Sequence, residues 1–227
     1  MGLQHSPSIV TSGLVLCLDA ANTKSYPGSG TAWNDVSGNG NTGTLTNGPI
    51  YNSANLGSIV FDGVDDYVSI TNVSSIRPSA EMTICMWVKA ISLTAGWNEL
   101  LGQNPYSGGY LIFLETGGTL IRSLHYVNGT EYRCNTSQSI STSVFTHIVF
   151  TFKTGDAIRS YFNGVADITT SLPAGIFTYN TLNPFLIGYP GGSVFNGNIS
   201  TAQIYNRALS GTEVTQNFNA LRGRYGL

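Results

Sequence analysis

Five glutamates stand at 81, 99, 115, 131 and 213. They are weighed first because cleaving a glycosidic bond takes two carboxyl groups flanking it. They are scattered, and none has an acidic partner along its own strand-like run. The densest acid group, Asp62, Asp65 and Asp66, sits at a strand–turn–strand junction, where Asp commonly folds turns. His5, His125 and His147 have no Ser/Asp or Cys grouping beside them, so no nucleophilic triad is expected. No Gly-rich loop follows a strand and opens a helix, as a phosphate cradle would. Cys17, Cys85 and Cys134 cannot all pair within one chain, and each lies in or beside an apolar run. They read as buried free thiols. Taken together, these residues point away from an enzyme.

The aromatics offer other chemistry. A sugar site pairs an aromatic platform for the C–H face of the ring with amide, carboxyl or backbone groups for its hydroxyls. Trp97 (AGWNE), Tyr106 and Tyr110 (NPYSGGY) and Tyr189 (GYPGGS) read as loop aromatics that could serve, with Asn98, Asn104 and Asn196 as polar neighbours. Trp97 is the first choice. The alternative is that these rings pack the loop base or a subunit contact. Trp87, in mid-strand, reads as core, and Trp33 as packing in its own loop.

Such residues must be positioned by strands. Only 10% of the 227 residues are charged, against about 25% in an average soluble protein, yet the mean hydropathy is just +0.05. Neutral Ser, Thr and Asn fill the gap, with 27 Gly, 12 Tyr and 10 Phe. That mixture suits short strands joined by tight turns, not helical bundles or disorder. No stretch approaches the roughly 18 apolar residues of a membrane span. The net charge is −2, and the basic residues are scattered apart from Arg222 and Arg224, so nothing attracts nucleic acid. No basic start precedes the apolar run at 14–18, which is too short for a signal-peptide core; synthesis in the cytosol is expected. Without a secretory signal, the N-x-S/T triplets at Asn72, Asn128, Asn135 and Asn198 are discounted as glycosylation sites.

Strands are expected at 14–19, 58–62, 67–70, 82–90, 110–115, 146–153, 156–163, 185–188 and 198–205. In 84–88 both alternating sets are apolar, as in a strand covered on both faces. Asn128-Gly129 and Asn163-Gly164 read as type I′ hairpin turns, which need φ > 0 at both residues. One helix is signalled near the C-terminus. Ser210 and Glu213 fit a capping box, Val214, Phe218 and Leu221 form an apolar stripe, and Gly223 is the expected stop. Residues 1–12 show no partner pattern and read as an extended arm. Residues 13–227 read as one domain, an all-β, two-sheet antiparallel jelly-roll sandwich with one short C-terminal helix.

Three segments carry a resemblance: Trp33–Asn41 (WNDVSGNGN) after LVLCLDAAN, IVFDGVDDYV at 59–68, and the run from Gly197 through IYNRALS into the capped helix. With TICMWVKA and THIVFTFK, they resemble the laminin G-like, concanavalin A-like lectin/glucanase superfamily over residues 13–225. The resemblance implies the sandwich just described. The superfamily's glucanases carry carboxylates spaced i, i+2, i+5 on one strand, a spacing absent here. Many relatives hold Ca²⁺, which takes six to eight oxygens, on such loops. The corresponding candidates are Asp19 and Asn22, Asp35 and Asn39, and Asp62, Asp65 and Asp66. The alternative for Asp35 and Asn39 is that they fold the loop through Asx-turns.

A domain of this type ending in NFNALRGRYGL further looks like proteins of tailed bacteriophages. That resemblance implies a non-enzymatic virion surface protein, a fibre or tail adhesin or a capsid decoration. Its partners would be other virion proteins and a host cell-surface glycan, with no nucleic acid, no membrane insertion, and a homo-oligomer, a trimer by analogy. The alternatives are a stand-alone carbohydrate-binding lectin-like module and a glycosidase-like enzyme.

Overall fold

The computed structural model describes residues 7–93, 96–103, 108–115, 120–188 and 194–227. Its strands are β1 (Leu14–Asp19), β2 (Ala32–Trp33), β3 (Gly43–Thr46), β4 (Ile50–Asn52), β5 (Ser58–Asp62), β6 (Tyr67–Ile70), β7 (Glu81–Ser92) and β8 (Asn98–Gly102). Then come β9 (Tyr110–Leu114), β10 (Leu120–Val127), β11 (Thr130–Ser139), β12 (Thr146–Lys153), β13 (Ala157–Phe162), β14 (Val165–Ser171), β15 (Phe185–Ile187) and β16 (Asn196–Tyr205). One α-helix, α1 (Gly211–Leu221), follows.

The strands form two eight-stranded antiparallel sheets, stacked as a sandwich. The first runs β14-β13-β12-β7-β16-β5-β4, and β1 shares the far edge of β16 with β5. The second runs β11-β10-β9-β8-β15-β6-β3-β2. The alternation of side chains decides what lies between them. Ile84, Met86 and Val88 of β7 point into the main core with Ile148, Phe150, Ile112 and Ile187, whereas Cys85 and Trp87 point out. Each fully buried Leu, Ile or Phe there contributes about 1.5–3 kcal/mol.

The outward face of the first sheet is covered by α1, which explains the two-sided apolarity of β7. Trp87 lies stacked against Tyr225 at 4.1 Å and Phe218 at 5.6 Å. The capping box is present: the Ser210 hydroxyl accepts from the Glu213 amide, and Glu213 accepts from the Ser210 amide at 2.9 Å. Gly223 does not end the helical segment. A 3-10 turn, Arg222–Tyr225, continues it, and Gly226 takes the left-handed conformation at φ 73°. Residues 7–12 are not a free arm. The Val10 amide donates to Asn217 Oδ1 at 2.8 Å, and its carbonyl accepts from the Tyr205 hydroxyl at 2.9 Å. Asn128/Gly129 (φ 50° and 79°) and Asn163/Gly164 (51° and 80°) adopt the expected turn conformation between β10 and β11 and between β13 and β14. Cys17, Cys85 and Cys134 are buried free thiols.

Candidate functional site

The outward face of the second sheet is the one that α1 leaves open. Directly paired residues share a face, so the register defines what it presents. Thr44 lies opposite Ser69, and Thr46 opposite Tyr67. With Thr42, Thr71 and Asn72, and with Thr181, Leu182 and Pro184 from the segment before β15, they line a groove of about 610 Å³. None of these ten residues is charged. Hydroxyls dominate, Tyr67 supplies a ring, and Leu182 is almost fully exposed.

Amides close the groove at one end. Asn72 Nδ2 donates to the carbonyls of Asn180 (2.9 Å) and Asn183 (2.8 Å), which fixes the orientation of its side chain. Its Oδ1 is then a buried acceptor without a partner. Gln103 also donates to the Asn183 carbonyl, at 3.3 Å, and leaves Oε1 unpartnered. A buried unpaired acceptor is costly, and a hydroxyl donor satisfies it.

Across β15 the same face continues through Leu186, Gly102, Leu111 and Leu124, in register from Ser69. Leu111, Phe113 and Leu124 form an apolar cluster separate from the main core. Trp97 stacks on Phe113, ring centres 4.8 Å apart and planes 11° from parallel, and stays 38% exposed. Glu99 is directly opposite Phe113. It is 8% exposed, its Oε2 has no partner, and burial pushes its carboxyl up to about 8. The other four glutamates each pair with a cation: Glu81 with Lys153, Glu115 with Arg122, Glu131 with Arg133 and Glu213 with Arg207.

The residues singled out in the sequence are distributed unevenly. Trp97 is on this face as a partly exposed platform. Tyr110 is not a loop residue: it starts β9, is fully buried, donates to the Ile76 carbonyl at 3.0 Å and packs on His125, Tyr179 and Phe185. Asn98 is likewise buried, its Nδ2 donating to the Gly96 carbonyl. Tyr106, Tyr189 and Asn104 lie outside the described residues. Thr42, Thr44, Thr46, Tyr67, Ser69, Asn72 and Glu99 are the residues that sequence reasoning missed. Period-two Thr in GTLT beside YVSI was the available signal for the groove.

The oxygens proposed for a cation are mostly engaged. Asp35 accepts from the amides of Cys17, Ser37 and Asn41 and from the Ser37 hydroxyl. Asn39 Nδ2 donates to the Leu14 carbonyl and to Ser37 Oγ. Both therefore fold their loop. Asp19 holds Arg224 through both oxygens, at 2.8 and 2.9 Å, and Asn22 Oδ1 accepts from the Lys24 amide. Asp62, Asp65 and Asp66 differ: one carboxylate oxygen of each lies within 4.8 Å of the others. Burial, then the charges of Asp62 and Asp65, push Asp66 up, against the bond from the Asp62 amide. Three such carboxylates are donors of the kind a hard divalent cation takes, with Asp62 Oδ1 and Asp66 Oδ2 already accepting from the Val64 and Asp62 amides. His125 and His147 are fully buried among aromatic rings, and desolvation lowers both to about 3, so they are neutral core residues.

Two stacked antiparallel sheets, one of them bearing a neutral, hydroxyl-rich groove on its outward face, define a lectin-like sandwich. The chain belongs to the concanavalin A-like lectin/glucanases superfamily, whose laminin-G family model matches residues 62–215. Among solved structures, the binding domain of Paraclostridial mosquitocidal protein 1 superposes with a TM-score of 0.73 at 20% identity, over 92% of this chain and 52% of that one. Domain 4 of AbnA, an extracellular arabinanase of Geobacillus stearothermophilus solved with arabinotriose, gives 0.69 at 22% identity over 91% of this chain and 98% of that one. The binding domain of botulinum neurotoxin serotype G gives 0.69 at 14% identity over 90% and 50%. The chain thus spans about half the length of the toxin binding domains and nearly all of the arabinanase domain. No curated protein matches the sequence significantly.

Proposed function

We propose that this chain is a non-catalytic glycan-binding module that uses the groove on the outward face of its second sheet. The observation that carries the reading is the groove lining: eight residues with hydroxyl groups or an amide, one of them the Tyr67 ring, and no charge. That lining matches a neutral saccharide, with rings for C–H faces and hydroxyls and amides for its own hydroxyls. The fold supports it too, since the similar structures are named as binding domains or were solved with an oligosaccharide. The test is affinity electrophoresis and calorimetry with neutral oligosaccharides, arabinan- and glucan-derived. Wild type binds, and Tyr67→Ala weakens binding about tenfold, or about 1.4 kcal/mol. Binding by Tyr67→Ala equal to wild type would overturn the assignment to this groove.

The finer reading is that the module is displayed on a tailed-phage particle, as a fibre or tail adhesin or a capsid decoration, in a homo-oligomer. It rests on the resemblance of the sequence through NFNALRGRYGL. A lectin-like module outside any virion is the alternative. Mass spectrometry of purified particles separates the two: stoichiometric recovery supports the virion role, and absence from them removes it.

A further inference from the structure

Among the described residues, Glu99 is the one glutamate whose carboxyl meets no cation. It lies on the groove's own face, on the far side of β15, directly opposite Phe113. Trp97, two residues before it, is stacked on that same Phe113 and is itself partly exposed. The corner thus combines a flat platform, an apolar floor and a carboxyl lacking a counter-charge. Arg122, opposite Phe113 on the next strand, does not supply one: its guanidinium holds Glu115 at 2.7 Å and Asn135 Oδ1 at 2.8 Å. The neutral groove has no such group.

We infer that the Trp97–Glu99 corner is a second sugar subsite, selective for a hexosamine carrying a free, protonated amine. The ring face of the sugar lies on Trp97 and its ammonium meets Glu99, an arrangement favoured by the aromatic face as well as by the carboxylate. The inference rests on the glycan-binding reading and adds a charge preference to it. Burial keeps the carboxyl protonated at neutral pH. The ammonium binds, the carboxyl gives its proton to the buffer, and an ammonium–carboxylate pair remains. A neutral sugar hydroxyl on the same carboxyl would release no proton.

Calorimetry at pH 6.0, in two buffers of different ionisation enthalpy, counts that proton. The probes are a glucosamine tetramer and its fully N-acetylated counterpart. The glucosamine tetramer is expected to bind at least tenfold more tightly and to release close to one proton. Glu99→Gln, nearly isosteric, is expected to lose both the preference and the proton while folding as wild type. Trp97→Ala is expected to weaken both tetramers. Equal binding of the two tetramers, or a preference retained in Glu99→Gln, overturns the subsite. Neutral oligosaccharide binding lost in Tyr67→Ala would still stand as the separate test of the groove, so the two failures are distinguishable.

Discussion

Asp35 shows how one side chain can look like a metal ligand in sequence and act as a loop staple in the fold. Its two oxygens accept four hydrogen bonds from Cys17, Ser37 and Asn41, joining β1 to the loop that precedes β3. Bonds to a charged acceptor are worth about 1.5–3 kcal/mol each and are not additive. Asp35→Ala is therefore expected to cost about 2–4 kcal/mol, read as a lower urea midpoint at unchanged m-value. A change below half a kilocalorie would remove its stapling role. Asp66 makes the opposite case. Its buried carboxyl shares space with Asp62 and Asp65, and calcium would offset both burial and repulsion. Calcium is expected to raise the melting temperature of wild type and not of Asp66→Asn; identical melting in calcium and in EDTA would retire the cation.

At the scale of elements, long strands with apolar alternation were legible and short polar ones were not. The sequence patterns place β1, β5, β6, β12 and both Asn-Gly hairpins with at most a residue of error. They miss β3 and β8, and also the short β2 and β4. GTLT lies inside a stretch rich in Gly, Asn and Thr, the composition of a loop, and it is a strand because β6 pairs with it. NELLG follows a loop-like run, and its pairing with β9 buries Asn98. The candidate groove is built on the first of these strands and Glu99 on the second, so the site was less legible than the fold. Tertiary pairing, not local propensity, makes both. The helix was legible because its cap is local. One of its inward positions was not: Asn217 is buried because Val10 and Tyr205 both bond it. Ser210→Ala is expected to cost about 1 kcal/mol through the lost cap. Glu213→Gln should cost more than a cap alone, since Glu213 also pairs with Arg207 at 2.6 Å. Chemical denaturation of both variants checks that order.

At the scale of the whole molecule, the direction of each shift sets the sign of the expected pH dependence. His125 and His147 are lowered from 6.5 to about 3, so between those values the unfolded chain binds two more protons than the fold. Their stabilisation is complete above pH 6.5 and is lost as pH falls toward 3. Glu213, held near 2 by Arg207, adds to that loss below pH 4.5. Glu99 works in the other direction. Its carboxyl, raised from 4.5 to about 8, lets the fold bind the extra proton between those values, so its contribution is complete below 4.5 and is lost as pH rises toward 8. From 4.5 to 6.5 the two histidines outweigh the one glutamate, and from 6.5 to 8 the glutamate acts alone. Each uncompensated proton changes stability by about 1.4 kcal/mol per pH unit. Stability should therefore peak near pH 6.5, falling with similar slope down to pH 4.5 and up to pH 8, and more steeply below pH 4.5. Above pH 9 a further loss follows from Cys17 and Cys85, both pushed up to about 12 by burial. In Glu99→Gln the decline between 6.5 and 8 should vanish while the acid limb remains. Urea titrations at half-unit pH steps measure both limbs. A wild-type profile flat from pH 4 to 8, or one that Glu99→Gln leaves unchanged, would contradict the protonated, unpaired carboxyl on which the amine subsite depends.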